Sequence, residues 1–141
     1  MLHRLIRAEI PVYLPFGGGS PIDLLALVPP DGRLVRMQVK SGRVRQGCVR
    51  FNTCSTDHGA GRQSYQGRAD VIAVYVHESD SVYVVPVTDC PSFQGMLRMV
   101  PPRNNQRQRI RFAADYSFEN WVSLLGDWRI RTPRPTELAL G

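Results

Sequence analysis

Asp23, Gln38 and Lys40 are the residues of this chain whose types and spacing can do chemistry together. A carboxylate holds a hard divalent cation. A side-chain amide orients a water or a phosphate oxygen, and an ammonium two residues further on positions or activates a water and screens the charge that builds on an attacked phosphate. Lys40 is the only lysine of the chain, the other basic residues being arginines. Arginine is effectively always protonated and cannot act as a base, whereas a lysine can be tuned by burial near other charges, so a lysine in this slot favours chemistry over solvation. Against this stands the ordinary occurrence of Asp, Gln and Lys at solvated strand ends, a pattern that chance also produces.

A hairpin positions the three. The apolar run Ile22–Val28 and the alternating run Leu34–Lys40 flank Pro29-Pro30-Asp31-Gly32. Asp-Gly between two such runs predicts a two-residue turn, with Pro30 facing Arg33 and Asp23 facing Lys40. Side chains alternate with a period of two, so Gln38 and Lys40 share a face with Asp23. Ser41-Gly42 is expected to turn the chain into a third strand, Cys48–Cys54, with Val49 and Phe51 on one face and Arg50 and Asn52 on the other.

The chain of 141 residues fits one domain, assigned to 1–128, followed by a loose Pro-interrupted tail over 129–141. Its hydrophobic content of 43% is that of a folded globular protein. A net charge of +6, carried almost wholly by arginine, points to a polyanionic partner, and the planar guanidinium suits bidentate contact with phosphate or guanine. Cys48, Cys54 and Cys90 form no C-x-x-C pair, which excludes a disulfide framework and suits a reducing compartment. Their spacing with His58 fits no common zinc module, and Cys48 reads as a small buried hydrophobe. No apolar run approaches bilayer length, so no membrane association is expected and a cytoplasmic location is.

Pro21-Ile22-Asp23 and Gln38-Val39-Lys40 resemble the core of the PD-(D/E)XK nucleases, with Gln in place of the second acid. The order VYLPFG, DLLALV, RMQVKSG, FNTCS, SYQGRAD, VIAVYV, VYVVPV and PPRNNQRQ resembles one branch, the group I intron homing endonucleases, across roughly residues 10 to 120. The resemblance implies an α/β fold of restriction-endonuclease type, a central mixed sheet with flanking helices. It also implies a Mg2+- or Mn2+-dependent endonuclease on double-stranded DNA, working as a homo-oligomer, dimer or tetramer, with Asp23 as metal ligand and Gln38 and Lys40 as catalytic partners. The alternatives are a DNA-binding protein that keeps the fold without cutting, and a structure-specific nuclease of junctions or damaged DNA. The family's longer first helix carries a metal-binding glutamate, and this sequence supplies only the last turns of such a helix, over Leu2–Glu9. Glu9 is the acid available there. It reads as a second metal ligand or, more simply, as a surface carboxylate at a helix end.

The remaining segments fill in the frame. Val12–Phe16 is a short strand, and Gly17–Ser20 a loop with no helix after it, which removes a nucleotide-cradling reading. Residues 55–68 carry no apolar periodicity and form a long loop whose Arg62, Tyr65 and Arg68 supply donors and a stacking surface for DNA. Asp70–Val76 is a central strand buried on both faces, and Val82–Val87 its hairpin partner. Asp70 itself reads as a structural acid that caps the preceding loop. Arg103, Arg107 and Arg109 lie in the densest polar segment and, with Arg43 and Arg45 beyond Lys40, are the other candidates for DNA contact. Ser117 is placed to cap a final amphipathic helix over 118–126.

Overall fold

The computed structural model describes residues 1–104 and 108–125. Nine strands run along it: β1 (Val12–Tyr13), β2 (Leu24–Val28), β3 (Arg33–Arg45), β4 (Cys48–Asn52), β5 (Cys54–Asp57), β6 (Gly61–Ser64), β7 (Val71–Val76), β8 (Ser81–Pro86) and β9 (Gln94–Arg98). Helix α1 (Leu2–Arg7) precedes them and α2 (Phe118–Leu124) follows. Seven strands make one mixed sheet, ordered β1-β2-β3-β4-β9 with β7 and β8 continuing from β3, and β5 and β6 make a separate hairpin. β3 to β7 is the parallel pair, and the other ladders are antiparallel. The architecture is the expected α/β one.

β7 is central because nearly every side chain on it is apolar. Ile72, Val74 and Val76 join Val49, Phe51, Tyr65, Val85 and Leu97 in a core on one face. Leu24, Ala26, Val28, Val35 and Met37 form the other core, covered by Leu5 of α1 and Phe118 of α2. α2 begins where expected, since Ser117 Oγ accepts the Asn120 N–H at 3.1 Å.

Three expectations are corrected. The hairpin between β2 and β3 closes through the four residues Pro29–Gly32, with Val28 opposite Arg33 and Leu24 opposite Met37. A two-residue turn closed by Pro30 and Arg33 needs an N–H donor on Pro30, and proline has none. The register therefore slides by two residues, an even number, so Asp23, Gln38 and Lys40 keep their common face while Asp23 moves from Lys40 toward Gln38 and Val39. The strand also runs straight through Ser41-Gly42. The turn falls at Gln46-Gly47, where both φ values are positive, 52° and 72°, as a tight two-residue connection demands. Gly42 is there for space, because a Cβ on it would lie 2.6 Å from Val74 Cγ1 and 2.9 Å from Val49 Cγ1. Finally, the loop expected over 55–68 contains the β5–β6 hairpin, pairing Cys54–Asp57 with Gly61–Ser64. That hairpin is polar on both faces, so hydrophobic alternation cannot reveal it. The tail 129–141 lies outside the described residues.

Asp70 ties the start of β7 to β3. Its carboxylate accepts from the Arg36 N–H at 2.8 Å and from Arg36 Nη2 at 2.9 Å, while its own N–H donates to the Arg36 carbonyl. The hydrogen bond from Arg36 holds the Asp70 carboxyl below the usual carboxylate range.

Two stability measurements follow from this packing. Gly42→Ala overpacks the junction of β3, β4 and β7 and lowers the unfolding free energy by about 1–3 kcal/mol, read as a shifted urea midpoint at unchanged m. Asp70→Asn costs about 0.5–1 kcal/mol at pH 7, kept small by solvent screening because both side chains of the pair are 41% exposed. A carboxyl whose folded pKa is depressed stabilises above its unfolded value of about 3.9. The gap between wild type and Asp70→Asn therefore closes as pH falls below that value, and a constant gap down to pH 2 overturns the assignment.

Candidate active site

The site forms where β3 loses a neighbour. On one edge β3 pairs with β7 from Met37 to Gly42. On the other it pairs with β2 as far as Met37 and with β4 only from Arg43 onward. Over residues 38–42 no strand among the described residues covers that second edge. Successive N–H groups of a strand point to alternate edges, so the Val39 N–H projects into this gap. Asp23 fills the vacancy with its side chain: Oδ2 accepts the Val39 N–H at 2.7 Å, and the Asp23 N–H donates to the Met37 carbonyl at 2.9 Å. The carboxylate does here what a strand carbonyl does elsewhere in the ladder.

Gln38 fixes the same oxygen from the side. Its Nε2 donates to Asp23 Oδ2 at 2.7 Å and lies 3.4 Å from the Val39 carbonyl. A carboxylate only accepts, so the nitrogen end of the amide must face it and Oε1 is directed elsewhere. The amide thus orients Asp23, where the sequence reading gave it a water or a phosphate oxygen to orient. Gln38 is buried and Asp23 exposed, so a rigid, desolvated group holds one that meets solvent.

Lys40 follows on the same face, half-buried, with Nζ 5.0 Å from the centroid of the Tyr65 ring. Arg68 Cζ lies 5.9 Å from the same ring, and its buried Nη1 has no hydrogen-bond partner. Attraction of cations to the electron-rich ring face holds both groups by one aromatic platform. Tyr65 is only 3% exposed, so it cannot offer a stacking surface to a base, and that part of the sequence reading is corrected. Its position is set by a tight turn in which the Arg68 and Ala69 N–H groups both donate to the Tyr65 carbonyl, and Gln66 Nε2 pins the turn to the Val87 carbonyl at 2.6 Å. A Tyr in a polar segment gives no sequence signal that separates support of a lysine from contact with a ligand.

The other candidates are dispersed. Glu9 is exposed, with φ 58°, between Ala8 and Ile10, which pack into the core on the face opposite Gln38 and Lys40. Glu9 thus stands at the C-terminal end of α1, the helix that covers the core on that far face. No group of three or more His, Cys, Asp or Glu side chains able to hold a metal occurs among the described residues. Arg43 and Arg45 are exposed beyond Lys40, and Arg62 stands on β6 with Cζ 5.4 Å from the Phe93 ring. Arg103 and Arg109 are exposed, while Arg107 lies outside the described residues.

A sequence model described as PD-(D/E)XK endonuclease matches residues 1–119. The fold is similar to that of a solved bacterial homing endonuclease, I-Ssp6803I, with a TM-score of 0.65 and 23% identity over 88% of this chain and 84% of that one. No curated protein matches the sequence.

The Lys40–Tyr65 stacking can be read directly, since a chain with one lysine gives one lysine Cε–H signal in a selectively labelled sample. In the wild type the ring current moves it upfield of a free lysine. Tyr65→Phe keeps the shift and Tyr65→Leu abolishes it, while a signal at the free-lysine position in the wild type overturns the contact.

Proposed function

The chain belongs to the PD-(D/E)XK endonuclease family, and on that premise we propose that it is a divalent-metal-dependent endonuclease that hydrolyses phosphodiester bonds in double-stranded DNA, in the manner of a homing endonuclease. The observation that carries the reading is the Asp23 carboxylate, one oxygen of which is locked by Gln38 and Val39 while the residue as a whole stays exposed to solvent beside Lys40.

The donor set suits Mg2+ or Mn2+. Oδ1 of Asp23 has no hydrogen-bond partner among the described residues, and the Val39 carbonyl is a further oxygen of the kind hard cations take. One carboxylate is a small share of an octahedral shell, but Mg2+ ordinarily keeps several waters and accepts substrate phosphate oxygens as well. When bound, such an ion supplies Lewis acidity toward the scissile phosphate and lowers the pKa of a coordinated water.

The protein groups divide the remaining work. Gln38 and the Val39 N–H hold Asp23 in one orientation, so no rotamer search precedes binding of the substrate. The Lys40 ammonium, steadied on the Tyr65 ring, hydrogen-bonds the attacking water and offsets the negative charge that grows on the phosphate. Arg68, held at the same ring, adds a second positive charge near the Lys40 ammonium. Water adds to phosphorus and gives up one proton to solvent, the bond to one ester oxygen breaks, and that oxygen takes a proton from solvent as it leaves. Cutting both strands takes two such sites, which a homo-oligomer, dimer or tetramer, provides. The exposed Tyr13, Leu14 and Phe16 at edge strand β1 support apolar association between copies.

A second reading, DNA binding without cutting, is favoured by the absence of a clustered acid set among the described residues. Supercoiled plasmid incubated with the full chain in Mg2+ or Mn2+ separates the two. The expected outcome is nicking that EDTA stops and that Lys40→Ala or Asp23→Asn reduces by about 100-fold or more, the scale on which positioned acid–base and electrostatic groups act. Duplex binding with no nicking in either metal establishes the second reading.

A further inference from the structure

Beyond Gly42 the outward side of β3, β4 and β9 carries a cluster that the hydrolytic site does not use. Arg43 and Arg50 face each other directly across the ladder, and Asn52 faces Gln94. Arg45 lies two residues along from Arg43 on the same face. With Ser41 these five side chains line a cleft of about 520 Å3. Like charges directly opposed on neighbouring strands destabilise a sheet, and here a third arginine adds to the pair. Among the described residues the ion pairs are made by Arg4 and Arg36, none by Arg43, Arg45 or Arg50. Arg50 Nε is buried with no hydrogen-bond partner, which leaves a charged donor desolvated and unmatched. Fold stability does not account for three arginines without an acid partner along one cleft; an anion that enters the cleft does.

We infer that this surface binds duplex DNA, with Arg43, Arg45 and Arg50 on backbone phosphates and the paired amides of Asn52 and Gln94 at base edges. The inference rests on the nuclease reading and deepens it by naming where the duplex lies. Three guanidinium groups spread over two strands exceed what a single small anion requires. Arg43 and Arg45 are separated by about 7 Å along the strand, comparable to the spacing of neighbouring phosphates on a nucleic-acid backbone. Amides beside arginines are the side chains that recognise adenine and guanine in the major groove, which is wide enough for a two-stranded ribbon such as β4–β9. Ser41 directly follows Lys40, so the cleft opens one residue past the ammonium. By alternation the two sets of side chains leave opposite faces of β3, and the strand edge left open between β2 and β4 lies between those faces. A duplex laid along that edge reaches both.

Binding to a 30-base-pair mixed-sequence DNA duplex in EDTA tests this, with the duplex RNA of the same sequence in parallel. The variants are Arg43→Ala/Arg45→Ala, whose side chains are exposed and removable without disturbing the core, Arg50→Gln, and Asn52→Ala/Gln94→Ala, each checked for native circular dichroism. The double arginine variant is expected to lose about tenfold or more in DNA affinity near 0.1 M salt, and its slope of log affinity against log salt to fall by about 2. The amide variant is expected to keep the salt slope and to change which sequences are enriched from a random duplex pool. Arginine variants with wild-type affinity and slope overturn the inference, as does equal binding of the RNA, whose deep major groove a ribbon cannot read. Plasmid nicking by the same samples separates the two proposals. Wild-type nicking in arginine variants that also bind normally overturns this surface alone. Arginine-dependent duplex binding without any nicking supports the surface and removes the nuclease. No duplex binding by the wild type overturns both.

Discussion

The organising interaction is the capture of the Val39 N–H by the Asp23 carboxylate. A strand edge left unpaired in a sheet exposes backbone donors that need partners, and proteins usually cover them with another strand. Here β2 ends and β4 has not yet begun, and within the gap one side chain supplies the acceptor for the Val39 N–H. A carboxylate in that place satisfies the donor and keeps lone pairs to spare, so the same atom group that completes the fold also faces outward with negative charge. Structural and chemical needs coincide on Asp23.

The rest of the architecture follows from keeping that gap open. β3 is long enough, at 13 residues, to take β2 on its first half and β4 on its second. It must bend toward β7 between them, and Gly42 permits the approach of Val74 and Val49 where any side chain would collide. β7, apolar on both faces, fixes β3 from the closed edge, and the Asp70–Arg36 pair sets their relative start. Helices α1 and α2 cover the core on the far face, leaving the face with Lys40 to the Tyr65 turn.

Charge is distributed to match. Among the described residues, arginines without an ion pair stand on the Tyr65 turn and along β3 and β4, whereas those that pair with acids stand on α1 and in the first half of β3. Arginine stays protonated in all these places, so the field it creates does not depend on pH in the physiological range. The single lysine shares the Tyr65 ring with Arg68, held by attraction to an aromatic face rather than by an acid that would quench its charge.

Local pattern alone determined much of this. Alternation gave the common face of Asp23, Gln38 and Lys40, the unbroken apolar run gave β7 as the central strand, and Ser117 gave the start of α2, because each is settled by side-chain period or by a cap within a few residues. The family motif was legible for the same reason, since its residues are close in sequence on one hairpin. What tertiary structure decided are matters of distance between segments that no local pattern encodes. Proline's missing N–H moved the β2–β3 register by two residues, and only the folded sheet shows which backbone donor Asp23 then meets. Tyr65 became a buried support for Lys40 rather than a surface for bases, because it joins one core with Val49, Phe51 and Leu97. Arg50 became part of a charged cleft because pairing set it opposite Arg43. Chain order fixes faces through a period of two; which faces meet is fixed by how strands bend, pair and bury one another.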